Sequence, residues 1–270
     1  MPVSPFATPM PWNLLAPAYE EEVLPSFRSF VEESLRLAAP PAGGRLADIA
    51  CGPGTLALLA AERGFQVDAL DFSPQMIVLL ERAVRARGLT GIRPRLGDGQ
   101  ALPYADRGHD GAFSLFGLVF FHDRARGFSE LRRILRPGAR GVVSSWQPME
   151  RSPALVAIFS ALQQALPSAS APPSQPPPLG TADACRSEME QAFGEVDVHP
   201  VTTAVSFPSS AALWASMERS MPSLVLTRHQ LGEQAWAPVS DRVRDMLAGT
   251  FGTGAVTLDL NCWLTVGRAS

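Results

Sequence analysis

Three positions with little or no side chain, Ala50, Gly52 and Gly54, lie in the stretch RLADIACGPGTLALLAAERG, residues 45–64, between a short apolar run and a segment of helical character. A bend that bare lets a ligand lie against the backbone, and the free N–H groups of the helix that follows attract the polar parts of a nucleotide. Asp71 closes the next apolar run, QVDALDF, where a carboxylate can accept both hydroxyl protons of a ribose. Asp98, in GDGQALPY, brings a further acid towards the same sheet edge. Read mechanically, GPGTLA also satisfies the dinucleotide pattern G-x-G-x-x-A, so NAD(P) is a competing ligand. Asp48 counts against it, because a carboxylate beside the glycines repels a pyrophosphate and favours a cationic ligand.

The four histidines are the only side chains that titrate near neutrality without perturbation, and none belongs to a metal-spaced cluster. His122, in FFHD, follows the fourth strand and can take a proton from a hydroxyl or phenol, which makes it the candidate catalytic base. His109, His199 and His229 are weaker candidates, and Arg132, Arg133 and Arg136 read as a solvated helix face. All 23 basic residues are arginine. A P-loop, a pyridoxal Schiff base and a Tyr-x-x-x-Lys dehydrogenase pair all need the missing lysine and are excluded. Cys51, Cys185 and Cys262 are odd in number and widely spaced, which points to a reducing cytoplasm and not to a disulfide framework or a zinc ribbon.

Positioning these groups requires alternating elements. With 46% hydrophobic and 18% charged residues, the composition is that of a globular chain, and the net charge of -3 gives no attraction to nucleic acid or anionic membrane. The N-terminus, broken by prolines and without a basic start, does not read as a signal peptide. The longest apolar run, residues 112–121, is too short to span a bilayer. Spacing predicts helices over 18–37 divided at Pro25, then strands at 45–50, 66–72, 92–96, 110–116 and 141–146 with helices between them. The segment RPGARG closes the helix that carries Phe128 and Leu131. That alternation argues for a parallel sheet with helices on both faces. A helix over 153–166 then runs into PSASAPPSQPPPLGTA, which reads as a surface loop acting as a lid. Helices near 182–193, 210–217 and 239–247 follow, with strands near 196–201 and 256–266, the last alternating apolar and polar residues.

Taken in order and spacing, LADIACGPGTLALLAAERG, VDALDFSPQMI, GDGQALPYADRGHDGAFS and ELRRILRPGARGVVSSW resemble the successive motifs of class I S-adenosylmethionine-dependent methyltransferases. The likeness is greatest to the small-molecule group similar to ubiquinone/menaquinone-biosynthesis methyltransferases. It covers residues 12–146, and the closing strand fits that family's antiparallel last strand. The resemblance implies an α/β fold: a Rossmann-like, seven-stranded, mostly parallel sheet, helices on both faces, and a helical cap over the acceptor site. It places the methionine moiety against Ala50, Gly52 and Gly54 beside Asp48, the ribose on Asp71, and the adenine at Asp98, Gly99 and Gln100. Phe72 and Met76 lie near adenine or ribose, Ser114 and Phe116 beside the sulfonium, and Tyr19 in the segment that folds over the cofactor. The sequence departs from the family at Ala50, where a glycine is usual, and at His109, where an aromatic is usual.

The expected function is methyl transfer from S-adenosylmethionine to a small, partly apolar acceptor, releasing S-adenosylhomocysteine. Phe116, Phe120, Phe121, Trp214 and Met217 would line the acceptor side. After the fourth strand the chain reads SLFGLVFFHD and not the Asn/Asp-Pro-Pro-Tyr of enzymes that methylate exocyclic amines, which points away from nucleic acid. An NAD(P)-dependent oxidoreductase and a non-catalytic adenosyl-ligand-binding protein remain alternatives. The expected organisation is a helical cap at 1–40, a cofactor-binding core at 41–147, a lid-like insertion at 148–192, and the rest of the sheet with acceptor-side helices at 193–270.

Overall fold

The computed structural model describes residues 4–167 and 177–270. Most of the Pro-rich loop expected as a lid, residues 168–176, therefore lies outside the described residues. The first five strands are β1 (Arg45–Ile49), β2 (Gln66–Asp71), β3 (Ile92–Leu96), β4 (His109–Leu115) and β5 (Leu135–Trp146). All pair in parallel. With β6 (Gly194–Phe207) and β7 (Val256–Arg268) they complete one seven-stranded sheet of order β3-β2-β1-β4-β5-β7-β6, in which β7 runs antiparallel to both neighbours.

Alternate residues of each buried strand feed opposite layers, as the two-residue period requires. Leu46, Val67 and Phe113 meet α2 (Leu24–Ala38), α3 (Thr55–Glu62) and α4 (Pro74–Ala86) on one face. Ala47, Ile49, Leu70 and Ala112 meet α5 (Arg124–Ile134) and α7 (Ala182–Met189) on the other. A third apolar cluster joins α6 (Pro153–Ala165), α8 (Ser210–Ser220), α9 (Pro222–Leu231) and α10 (Glu233–Phe251) to the start of β7. The remaining helix, α1 (Pro9–Glu22), crosses from α4 to α8 and α9. Glu22 fastens its end by accepting from Ser216 and pairing with Arg219.

Several boundaries differ from the sequence reading. Helix α1 begins at Pro9 and not near residue 18, because Pro9 and Pro11 occupy the first turn, where a missing N–H costs no internal hydrogen bond. Pro25 likewise sits in the first turn of α2. The segment RPGARG is strand and not helix terminus: Arg140 pairs with Gly111 and with Arg268. Helix α7 stops at Met189, and α9, separated from α8 only by Met221 and opened by Pro222, is not expected from periodicity. Among the described residues, no helix is long and apolar enough to cross a membrane.

Candidate functional site

A cleft of about 140 Å³ opens at the carboxyl ends of β1, β2, β3 and β4. The strand order reverses between β1 and β4, so their following loops part and leave a crevice there. Four loops line it: Ala50 and Gly52, Asp71 and Phe72, Gly97 to Gln100, and Leu115 to Gly117 with Phe120 to His122.

The first loop owes its shape to backbone conformation. Ala50, Gly52 and Gly54 all have positive φ, at 56°, 54° and 99°. A Cβ on Gly52 would meet only the Tyr19 ring, at 4.0 Å, so that position faces open space. A Cβ on Gly54 would lie 2.4 Å from Leu80 Cδ1, so this glycine is required by packing beneath the cleft. Gly54 also has no side chain with which to cap α3. Asp48 does so from the neighbouring strand, its Oδ2 accepting from Ala57 N at 3.0 Å, in the first turn of α3. Asp48 is therefore a brace behind the bend and does not line the cleft.

Asp71 lines it directly and ties two loops together. Its Oδ2 accepts from Gly52 N at 2.8 Å and its Oδ1 from Ser73 N at 2.8 Å. Among the described residues neither Asp48 nor Asp71 has an arginine within ion-pair reach; backbone N–H groups hold both. Burial pushes the Asp71 carboxyl up to about 6, against the lowering effect of those N–H donors. Burial, with a smaller contribution from Asp71, pushes Asp48 up to about 7. Burial and the same two acids raise the Tyr19 phenol above its ordinary value, so it stays neutral. The Cys51 thiol, raised by burial and by Asp48 and Asp71, is unreactive.

These shifts carry a stability signature. An acid whose folded-state pKa is raised favours the folded state below its unfolded value, and that advantage is lost as pH rises through the folded value. The ligand-free protein is therefore expected to lose stability, on the order of several kcal/mol, between pH 4 and 7 and to change little above 7. Urea unfolding midpoints across that range measure it; Asp48→Asn, which keeps an acceptor for Ala57 N, should flatten the upper part. A midpoint that rises from pH 5 to 7 contradicts this environment.

The loop after β3 is held by its own polar groups. Asp98, exposed, accepts from Gln100 N at 2.8 Å and from Gln100 Nε2 at 3.1 Å. Gln100 Oε1 in turn accepts from Asp123 N at 2.7 Å, joining this loop to the start of α5. Gly99 lies under Phe121, where a Cβ would meet the ring at 2.3 Å. Met76 completes the floor at the first turn of α4.

After β4 the chain turns through Phe116, whose φ is +58°. Ser114 is fully buried and fixes this turn, its Oγ accepting from Leu118 N at 3.0 Å; it does not line the cleft. The Phe116 ring stacks on Trp146, with centroids 4.2 Å apart. Phe120 and Phe121 line the wall, and His122 stands exposed at its rim. Trp214 and Met217 are brought elsewhere. Trp214 is 1% exposed, stacks on Trp236 and donates its Nε1 to Ser240 Oγ, and Met217 lies in the same helical cluster. Their apolar spacing reflects helix packing and not a wall of this cleft.

Sequence reasoning missed Phe6, Ala7 and Trp12, which also line the cleft. Phe6, in a single helical turn at Pro5–Ala7, and Trp12 of α1 meet Phe120 with ring centroids 5.7 and 5.0 Å away. Asn13 Oδ1 accepts from Ser73 Oγ at 2.7 Å, fastening α1 to the N-cap of α4. The aromatics in PFATPMPWNLL were the available signal, obscured by prolines that read as loop.

A methyltransferase-domain family model matches residues 46–138. The demethylmenaquinone methyltransferase of Thermus thermophilus is 40% identical over 114 residues, covering 42% of this chain and 51% of that protein. The ubiquinone/menaquinone biosynthesis C-methyltransferase UbiE of Geotalea daltonii is 32% identical over 122 residues, covering 44% and 51%. The chain thus spans about half the length of these curated relatives. Among solved structures, the Haemonchus contortus phosphoethanolamine N-methyltransferase 2, in complex with S-adenosyl-L-methionine, aligns over 90% of this chain and 53% of its own. Its TM-score is 0.53 at 15% sequence identity, a likeness of fold.

Proposed function

We propose, from the premise that residues 46–138 are a class I methyltransferase domain related to the demethylmenaquinone and ubiquinone/menaquinone methyltransferases, that this protein methylates a small, partly apolar acceptor. The observation that carries this reading is the pair Asp48 and Asp71, buried carboxylates without a cationic partner among the described residues, set behind and beside a bend bare enough for backbone contact. S-adenosylmethionine fits that donor set, since it brings positive charge to the acids and ribose hydroxyls to an acceptor-only carboxylate. A dinucleotide would bring its pyrophosphate to the same acids, which disfavours the oxidoreductase reading.

When bound, S-adenosylmethionine supplies a methyl group already activated on a sulfonium and leaves as S-adenosylhomocysteine. Ala50, Gly52 and Tyr19 would hold its methionine end, Asp71 its ribose, and Phe72, Met76, Asp98, Gly99 and Gln100 its adenine. Asp48, Gly54 and Ser114 keep the loops in place. Phe116, Phe120 and Phe121 give the acceptor an apolar wall that excludes water and aligns the attacking atom. The aromatic cover of Phe6 and Trp12 continues that wall. A cytoplasmic setting accords with three unpaired, buried cysteines.

His122 would accept the proton of a hydroxyl or phenol acceptor. His122→Ala is then expected to lower kcat on the order of 100-fold with unchanged affinity for S-adenosylmethionine. Full turnover in that variant leaves alignment alone as the catalytic contribution. Calorimetry with S-adenosylmethionine against NADH, followed by detection of S-adenosylhomocysteine over an acceptor panel, tests the whole reading. Tight NADH binding, or cofactor binding without product over a broad panel, overturns it.

A further inference from the structure

A second cavity, of about 260 Å³, shares no lining residue with the cleft. It lies across β1, β2 and β3 near the first residues of β1 and β4, Arg45 and His109, under a roof formed by Pro103, Tyr104 and Ala105. The roof is built and not loose. Arg133 of α5 donates to Tyr104 O at 2.7 Å and to Leu102 O at 2.9 Å, and Glu130 accepts from Leu102 N at 2.7 Å.

Three guanidiniums, those of Arg45, Arg93 and Arg95, line this cavity against the single carboxylate of Asp68. The parallel register explains their convergence: Asp68 stands beside Arg93, and Leu70 beside Arg95, so both arginines emerge on one face of β3. Asp68, with a side chain 5% exposed, is already committed. Its Oδ2 accepts from Arg45 Nε at 2.6 Å and is 2.9 Å from His109 Nε2, and its Oδ1 lies 3.6 Å from Arg93 Nη1. Burial opposes ionisation there, yet the His109 and Arg45 hydrogen bonds hold the carboxyl down at about 2. Each arginine keeps further N–H donors beyond those Asp68 engages, and Arg95 has no acidic partner among the described residues.

Two polar atoms in the same lining meet no partner: the Tyr104 hydroxyl and Nδ1 of His109, a residue only 1% exposed. The two rings stand edge to face, with centroids 5.3 Å apart. A buried donor without an acceptor is a cost that a ligand oxygen removes. Surplus positive charge, a roofed cavity and an unanswered hydroxyl donor share one complement.

We propose that this cavity is a binding site for a small dianionic oxyanion group, a phosphate monoester or a dicarboxylate, held by Arg93, Arg95 and Arg45 with the Tyr104 hydroxyl as an added donor. Asp68 is a positioning residue that orients Arg45 and Arg93. His109 anchors Asp68 through its Nε2, 2.9 Å from Oδ2.

Titration calorimetry of the full chain with inorganic phosphate, and in parallel with malonate, at constant ionic strength in chloride, tests this. Saturable binding of either is expected, the stronger of the two telling which source of oxyanion the site prefers. Arg93→Ala with Arg95→Ala, both solvent-facing and compatible with the fold, should weaken it at least tenfold. Tyr104→Phe should weaken it about threefold, and Arg242→Ala with Arg244→Ala on α10, the same loss of charge elsewhere, should leave it unchanged. Absence of saturable binding for both anions overturns the proposal, as does equal weakening by the two arginine pairs. Because no residue here lines the cleft, S-adenosylmethionine binding should survive the Arg93/Arg95 substitutions, which keeps this outcome separate from that of the methyltransferase reading.

Discussion

Replacing Asp71 with alanine lowers affinity for S-adenosylmethionine on the order of 100-fold or more. The side chain carries two tasks at one place. It orders the bend, through Gly52 N and Ser73 N, and it presents ionised oxygen to the cleft. Alanine removes both accepted hydrogen bonds and leaves two N–H groups without that partner, each worth about 1–3 kcal/mol where water is excluded. Asp71→Asn separates the two tasks: it keeps one acceptor oxygen but turns an amide donor towards one of the N–H groups and brings no charge. It too should bind weakly. The wild-type affinity should rise with pH through about 6, as the carboxylate ionises, and this rise should be absent in the asparagine variant. Calorimetry between pH 5 and 8 measures both; affinity that is flat with pH and unchanged by Asp71→Ala removes this residue from the site.

The second large effect is on stability. Gly54→Ala is expected to cost about 3 kcal/mol, because φ of +99° is strained for alanine and the new methyl overlaps Cδ1 of the fully buried Leu80. For a chain of this size that is a fall in Tm on the order of 6–12 °C. Gly52→Ala differs in kind. Its methyl has room, so the fold should lose only about 1 kcal/mol, while the side chain enters the space proposed for the methionine moiety. Differential scanning calorimetry and ligand titration on both variants should thus give opposite rankings. Equal melting temperatures would show that the contact with Leu80 relaxes freely.

These contrasts mark what sequence could and could not reveal. The parallel sheet was legible because strands such as LADI and VDALD are short and apolar and alternate with helices whose stripes are clear. Asp71 was legible because a carboxylate ending such a strand has one obvious direction to face. For Asp48 the sequence leaves bracing of the loop and contact with the ligand equally open, since capping α3 from an adjacent strand depends on where Ala57 N falls in three dimensions. Helix α1 was hidden by Pro9 and Pro11, which are compatible with a first turn but carry the composition of a loop. With it went Phe6 and Trp12. Trp214 and Met217 shared a helical face, a pattern common to core and pocket, and only the partners Trp236 and Ser240 decide between them. His109 showed no spacing that could announce Asp68, which is brought to it by the order of strands.

The bends after β1 and β4 touch where neither has atoms to spare: a Cβ on Gly117 would stand 2.3 Å from that of Ala50. Residue 117 has an ordinary negative φ, so its own backbone does not demand glycine. The demand comes from the methyl group across the gap. Bulk at these two sites is therefore shared: a glycine at position 50 would remove the severe overlap at position 117 and leave Ser114 Oγ, 3.2 Å away, as the tightest remaining neighbour. The two loops can diversify only as a couple, which ties any drift in how one ligand is gripped to the shape offered to the other.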